Sequence, residues 1–357
     1  MIRVSELKLP LAEVPAEHRR AADAPTETEH DREPPPHPVD ALTRLAAQAL
    51  GTAPGAIAAL TVFKRSFDAR KADLLAVYIV DVVLADPALE PRLLAQHEKH
   101  PHIQPTPDMA WRAPGQAPAG WPASDAERPV VVGLGPCGLF TALALAQMGL
   151  RPIVLERGKP VRERTKDTWG LWRKKVLNPQ SNVQYGEGGA GLFSDGKLYS
   201  QIKDPRFLGR KVMQEFVDAG APPEILYQAH PHIGTFKLVK VVEAMREKII
   251  ELGGEIRFQH QVTGMTLAPA ADGQQQLTGL RVQRLDSGET VEMPTQRAVF
   301  ALGHSSRDTF ALLHDAGVFL EAKPFSVGFR IEHPQSVIDR ARWGRHAGHP
   351  LLGAADY

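Results

Sequence analysis

Residues 129–156, PVVVGLGPCGLFTALALAQMGLRPIVLE, constrain the fold more than any other stretch of the chain. PVVV is a β-branched run suited to a buried parallel strand. From Pro136 onward the residues favour helix, carry an apolar face and close at Gly149. RPIVLE then reads as a second strand ending at Glu156. This is the context that the G-x-G-x-x-G pattern of GLGPCG, residues 133–138, requires. Gly133 permits a sharp turn, Gly135 lets the backbone approach a pyrophosphate, and Gly138 lets the helix lie close to the strand. The helix start at Pro136 and Cys137 turns the positive end of its dipole toward that phosphate. Glu156, 18 positions after Gly138, stands where a carboxylate accepts both hydroxyls of an adenosine ribose and repels a 2′-phosphate. NADP is disfavoured there.

GEGGAG, residues 186–191, fits the same pattern and fails the same test. The polar LNPQSNVQY precedes it where a buried strand is needed, and Gly196 interrupts LFSDGKLYS before a helix can form. Ordering Gly186, Gly188, Gly189 and Gly191 costs roughly 1 kcal/mol each against alanine. Such a loop is useful where main chain passes close to a flat or phosphorylated ligand, and Ser194, Asp195 and Lys197 add a hydroxyl, a carboxylate and a cation beside it. An ordinary surface turn with solvated charges is the alternative.

Composition bounds the rest. A chain of 357 residues with 43% apolar residues and a formal charge of +1 suggests two or three soluble units without an overall pull toward nucleic acid or acidic lipid. LFTALALAQMGL is too short to span a bilayer, and Glu6 and Lys8 break the apolar run a signal peptide needs, so a cytoplasmic protein is expected. The single cysteine, Cys137, excludes a dithiol redox pair and an internal disulfide; inside GLGPCG its size suits helix packing.

Three regions separate along the chain. Residues 1–96 read as a small α+β domain: a strand in IRVSELKL, an irregular proline-rich stretch ending in DREPPPHPVD, a helix in VDALTRLAAQAL, and strands in IAALTVFKRSF and LLAVYIVDVVL. Residues 97–127 read as a proline-rich linker. In residues 128–357, GTFKLVKVVEAMREKIIELGG is an amphipathic helix, EIRFQHQVTGMTL an extended segment, and LTGLRVQRL and ETVEMP a hairpin across DSG. RAVFALG is an apolar strand ending at Gly303, where a parallel sheet meets its ligand. His304, Ser305, Arg307 and Asp308 follow, either as ligand contacts or as a polar loop and helix cap. His97, His100 and His102, like His230 and His232, lie among prolines without cysteine or spaced acidic partners, so no metal is expected. The charges of KRSFDARK are expected to alternate outward as a solvated face. No aromatic platform there supports nucleic-acid binding, and docking of a protein partner through this domain stays open.

GLGPCGLFTALALAQMGLRPIVLERG, SNVQYGEGGAGLFSDGKL, HPHIGTFKL, ALGHSSRDTF and KPFSVGFRIEHPQ together resemble the bacterial FAD-dependent dehydrogenases of largely uncharacterised activity, and KRSFDARK resembles their small leading domain. The resemblance implies an α/β protein: a Rossmann-type FAD-binding domain with an inserted α+β substrate domain, preceded by the small α+β N-terminal domain. It implies FAD held by Gly133, Gly135, Pro136, Cys137, Gly138, Glu156 and Arg157, with the GEGGAG loop on the flavin side and Val262 as a backbone contact near the adenine. The expected activity is hydride or electron transfer between a small-molecule substrate and the flavin, with Lys197 stabilising negative charge and His304 exchanging a proton. NAD(P)H, if it is the reductant, must visit transiently. The alternative is an FAD-stabilised interaction module without turnover, recruited through the N-terminal domain. By comparison with the family, LLGAADY stops before the expected return to the cofactor, so a truncated chain with weakened FAD binding and exposed apolar surface is expected.

Overall fold

The structure, a computed structural model, describes residues 1–15, 37–71, 73–194, 196–200, 202–271, 273–324, 327–329 and 331–355. Residues 31–36 of the proline-rich stretch, and Asp195, lie outside the described residues. The chain divides into two compact units: Met1–Met109 with Pro223–Pro231 and Phe325–Tyr357, and Ala110–Pro222 with His232–Pro324.

In the first unit, β1 (Ile2–Pro10), β2 (Ile57–Asp68), β3 (Leu75–Leu84) and β4 (Ile103–Pro105) form an antiparallel sheet in the order β2-β3-β1-β4. Alternation along β3 sends Ala76, Tyr78, Val80 and Val82 inward, all fully buried. Helix α1 (Val39–Leu50) lays Leu42, Ala46 and Leu50 into the same core and ends on Gly51 in the left-handed conformation. Trp343, at the end of a helix over Gln335–Trp343, stacks edge-on against Phe67 at 6.2 Å. A second helix, α2 (Leu89–Gln96), follows β3. Two expectations change here. The segment read as linker contributes β4, which the prolines tolerate because it pairs on one side only. Arg65, expected to face solvent, is only 4% exposed.

The second unit is built on a four-stranded parallel sheet, β11-β5-β6-β7, from β5 (Val130–Val132), β6 (Ile153–Glu156), β7 (Glu255–Phe258) and β11 (Ala298–Phe300). Between β5 and β6 runs α3 (Pro136–Gln147), which buries Leu139, Ala142, Leu143 and Ala146 and packs on α6 (Thr235–Glu251). Two leucines at about 2 kcal/mol each outweigh the roughly 1 kcal/mol that Gly138 costs the helix. Helices α4 (Val161–Lys174) and α5 (Leu208–Asp218) lie between β6 and α6 in the chain, and α7 (Arg307–Asp315) follows β11. The segment EIRFQHQVTGMTL is two strands: Gln259 at φ 58° ends β7 and starts β8 (His260–Pro269). That strand opens an antiparallel sheet, β10-β9-β8, with β9 (Gln275–Arg284) and β10 (Thr290–Pro294) as the expected hairpin. The architecture is mixed α/β.

Candidate functional site

At the carboxyl ends of β5, β6 and β11 the second unit opens into a cleft. Gly133, Gly135, Pro136 and Cys137 line one wall, and Gly186, Gly189, Ala190 and Gly191 another. The two glycine motifs therefore belong to one site. They meet backbone to backbone: a Cβ on Gly189, which has φ 61°, would lie 3.0 Å from Gly135 Cα and Pro136 Cδ. Gly188 N–H donates to Leu134 C=O at 2.8 Å across the same junction. Within the first motif, a Cβ on Gly138 would lie 1.9 Å from Gly133 O, so only glycine lets α3 begin so close to the turn. No side chain caps the start of α3.

Glu156 is 4% exposed and lines the cleft. Its Oε2 accepts from Leu134 N–H at 2.7 Å and its Oε1 from Gly158 N–H at 2.8 Å. Each carboxylate oxygen has a second acceptor position, so the group is fixed in place with capacity for two more donors. Beside it, Arg157 donates to Asp308 at 2.9 Å and to Thr309 Oγ1 at 3.0 Å, with its guanidinium 4.5 Å from the Tyr185 ring centroid. Gln261 also donates to Asp308, at 2.9 Å. These bonds tie β6, β8 and α7 together around Arg157, Val262 and Thr309, all in the lining.

The GEGGAG wall is held from behind by Arg164, the largest fully buried side chain of the described residues. Its Nε donates to Asn182 C=O at 2.8 Å, Nη1 to Glu187 C=O at 2.5 Å and Nη2 to Val183 C=O at 2.7 Å. Burial holds this guanidinium down at about 10, against the opposing pull of Glu156 and Glu187. Glu187, also fully buried, accepts from Val161 N–H at 2.7 Å and from Arg246 at 2.8 Å. Burial pushes its carboxyl upward, while those two donors and the Arg246 charge pull it down. Arg164 and Glu187 fix the loop without lining the cleft, and nothing in the one-dimensional pattern VRERTKD singles Arg164 out.

Among the other expected residues, Gly303 and His304 line the cleft with Ser305 and Ser306, and His304 Nε2 lies 3.4 Å from Ser305 Oγ. Gly188, Gly138, Ser194 and Lys197 are outside the lining; Ser194 Oγ bonds Gly191 C=O at 2.7 Å, and Lys197 forms an isolated antiparallel bridge with His232. Cys137 corrects an expectation: it is exposed and faces the cleft instead of packing α3. Successive helical residues diverge by about 100°, so Gly138 takes the strand-facing position and Cys137 cannot. Tyr185 and Gln184, unremarked in the sequence, also line the cleft; Tyr185 OH donates to Ser305 C=O at 2.7 Å. Among the described residues no group of three or more His, Cys, Asp or Glu is arranged to hold a metal, and no helix is long and apolar enough to cross a membrane.

Comparison with known proteins adds to this picture. Residues 324–357 match a family model described as FAD-dependent protein, C-terminal domain-like, and residues 1–83 match a domain of unknown function. An uncharacterized protein of Clostridium beijerinckii is 41% identical over 303 residues, covering 84% of this chain and 53% of the relative. The chain thus spans about half the length of the curated relative it matches. Among solved structures, Thermovibrio ammonificans THI4 is 19% identical with a TM-score of 0.38, covering 54% of this chain and 64% of that one. The 3-ketosteroid-Δ4-(5α)-dehydrogenase of Rhodococcus jostii RHA1 is 15% identical with a TM-score of 0.31, covering 52% and 48%. The resemblance to bacterial FAD-dependent proteins of largely uncharacterised activity, read first in the motifs, is borne out by the match at residues 324–357.

Proposed function

We propose that the cleft of the second unit holds the adenosine and pyrophosphate of one FAD, and that the protein is an FAD-dependent oxidoreductase acting on a small molecule. The observation that carries this reading is the junction of the two glycine motifs around buried Glu156. The residues fit such a group: a Cβ at Gly189 would crowd the opposite wall, Glu156 keeps acceptor capacity for ribose hydroxyls, and the uncapped start of α3 faces the lining. Arg157 and Val262 would border the adenine, and Gly186, Gly189 and Gly191 would border the flavin half. On this reading the Rossmann-type domain lies within residues 128–357, with the β8–β10 region as part of an inserted substrate domain, and the leading domain takes in β4 beyond residue 96, which confines the linker to the residues between Met109 and Arg128. A cytoplasmic location belongs to the same reading.

FAD, when bound, supplies the capacity to take up and release a hydride or single electrons. The chain's own residues position and polarise. Glu156 would orient the ribose, and Arg164 holds the loop that forms one wall of the cleft. His304, at the cleft, is proposed to exchange a proton with substrate. Lys197 is proposed as the cation that offsets negative charge on the flavin, Ser194 and Asp195 as loop residues beside it. NAD(P)H is proposed as a transient reductant at most, since Glu156 is the one carboxylate in the described lining of the cleft. Anaerobic mixing of the FAD-loaded chain with a panel of donors, NADH and NADPH included, tests the activity. Rapid bleaching of the flavin absorbance by one donor is expected; inertness to every donor with FAD retained would leave a binding module in place of an enzyme.

A further inference from the structure

Five of the eleven buried side-chain nitrogens and oxygens that lack a hydrogen-bond partner among the described residues converge on one place in the first unit. They are His37 Nδ1, Arg65 Nε, Arg65 Nη1, Tyr78 OH and Tyr227 OH. The His37 ring lies 4.5 Å from the Tyr227 ring and 5.8 Å from the Tyr78 ring, centroid to centroid. Arg65 Cζ lies 5.2 Å from the Tyr227 centroid and 5.6 Å from that of Phe67. Tyr78 is fully buried and Arg65 4% exposed, so solvent does not satisfy these groups.

Burying an arginine without a charged acceptor costs several kcal/mol in real proteins, and the neighbour within its reach, the Tyr78 hydroxyl, is neutral. Such a cluster calls for an occupant that can accept. All the groups can donate: two guanidinium N–H, two phenol hydroxyls, and an imidazole nitrogen in the matching tautomer. Among these five groups Arg65 carries the one formal charge, and the Glu224 carboxylate lies near enough to raise the Tyr227 phenol. We propose that this cluster is a binding site for a small oxyanion, a phosphate, sulfate or carboxylate group, clasped between Arg65 and the hydroxyls of Tyr78 and Tyr227.

The backbone supports a clasp. Arg65 N–H donates to Tyr227 C=O at 2.7 Å and Ala229 N–H to Arg65 C=O at 3.0 Å, so residues 227–229 are laid along β2 at the arginine itself. A cavity lined by His37, Pro38, Val39, Asp40, Ala41 and Arg44, at the start of α1, shares His37 with the cluster. Without an anion, burial and the Arg65 charge hold the His37 imidazole down at about 4, and burial pushes the Tyr227 phenol up to about 12. Both groups are then neutral at neutral pH, and so the arginine charge has no counter-charge among them. The competing internal partner is Glu224, whose Oε2 is also buried without a partner. This inference concerns the first unit and is independent of the flavin reading.

The test is the thermal unfolding midpoint of the 357-residue chain in chloride buffer with phosphate, sulfate or acetate added at constant ionic strength. At roughly ten times the dissociation constant, an oxyanion is expected to raise the wild-type midpoint by about 2 °C. In Arg65→Met the increment disappears, while in Tyr227→Phe it survives with about fivefold weaker affinity. Comparison with Arg65→Met subtracts any oxyanion taken up elsewhere in the chain. A wild-type increment that Arg65→Met retains in full would overturn the proposal. So would an insensitive wild type in which Glu224→Gln and Arg65→Met are equally destabilising, because Glu224 then supplies the missing charge. A response to phosphate and sulfate but not acetate would assign the site to tetrahedral anions.

Discussion

Arg164 and Arg65 are both buried, on strands or helices of ordinary composition, and their surroundings differ completely. Arg164 meets three backbone carbonyls, from Asn182, Val183 and Glu187, at 2.5–2.8 Å. Arg65 leaves Nε and Nη1 unpaired. The difference teaches how each region spends a buried charge. Around the cleft the guanidinium is an internal strut that shapes a loop, complete without any ligand. In the first unit it is a donor set without an acceptor, which makes it a candidate for an external one.

Arg164→Met puts that contrast under the greatest load. It orphans three buried carbonyls, and a loss of about 3–5 kcal/mol in chemical denaturation is expected, with FAD binding lost as the loop relaxes. Gly189→Ala comes next: its Cβ, at φ 61°, presses on Gly135 and Pro136. About 1–2 kcal/mol of strain is expected, together with FAD affinity at least tenfold weaker, read by fluorescence titration. A smaller effect should follow pH in the first unit. Folded His37 titrates near 4 and unfolded His37 near 6.5, so between these values only the unfolded chain takes up the proton. Stability is therefore complete above about pH 6.5 and falls on acidification toward 4, by on the order of 1 kcal/mol after allowance for partial exposure. His37→Asn should flatten that limb of the urea-midpoint profile; an unchanged acid slope would remove His37 from the cluster. Smallest of all, Arg65→Met in chloride buffer should be neutral or slightly stabilising, the opposite of Arg164→Met. Equal losses in the two variants would erase the comparison.

Local features were legible in the sequence. The strand, turn and helix of residues 130–147 follow from β-branched residues, glycines and an apolar helix face within one short window. GEGGAG could be rejected as a second such turn from its flanks, but not matched to its partner, because the contact with Gly135 joins segments about fifty residues apart. Arg164 was illegible for the same reason: in VRERTKD its charge resembles a solvated helix face, and its acceptors come from residues 182–187. The inward turn of Arg65 has a different cause. A register shift between Val62 and Lys64 breaks the alternation of β2, so the period that sends charges outward does not carry past it. Gln259 likewise splits one extended run between two sheets through a single left-handed residue.

The two glycine motifs are proposed to enclose one nucleotide, anchored by Glu156. The most direct measurement of this is the stoichiometry and affinity of FAD for the purified chain, with Glu156→Gln beside the parent. One FAD per chain is expected, with an affinity about ten- to a hundredfold weaker in Glu156→Gln, as a charged acceptor for two ribose hydroxyls becomes a neutral one. Two FAD per chain, or a Glu156→Gln protein that binds as the parent does, would contradict it.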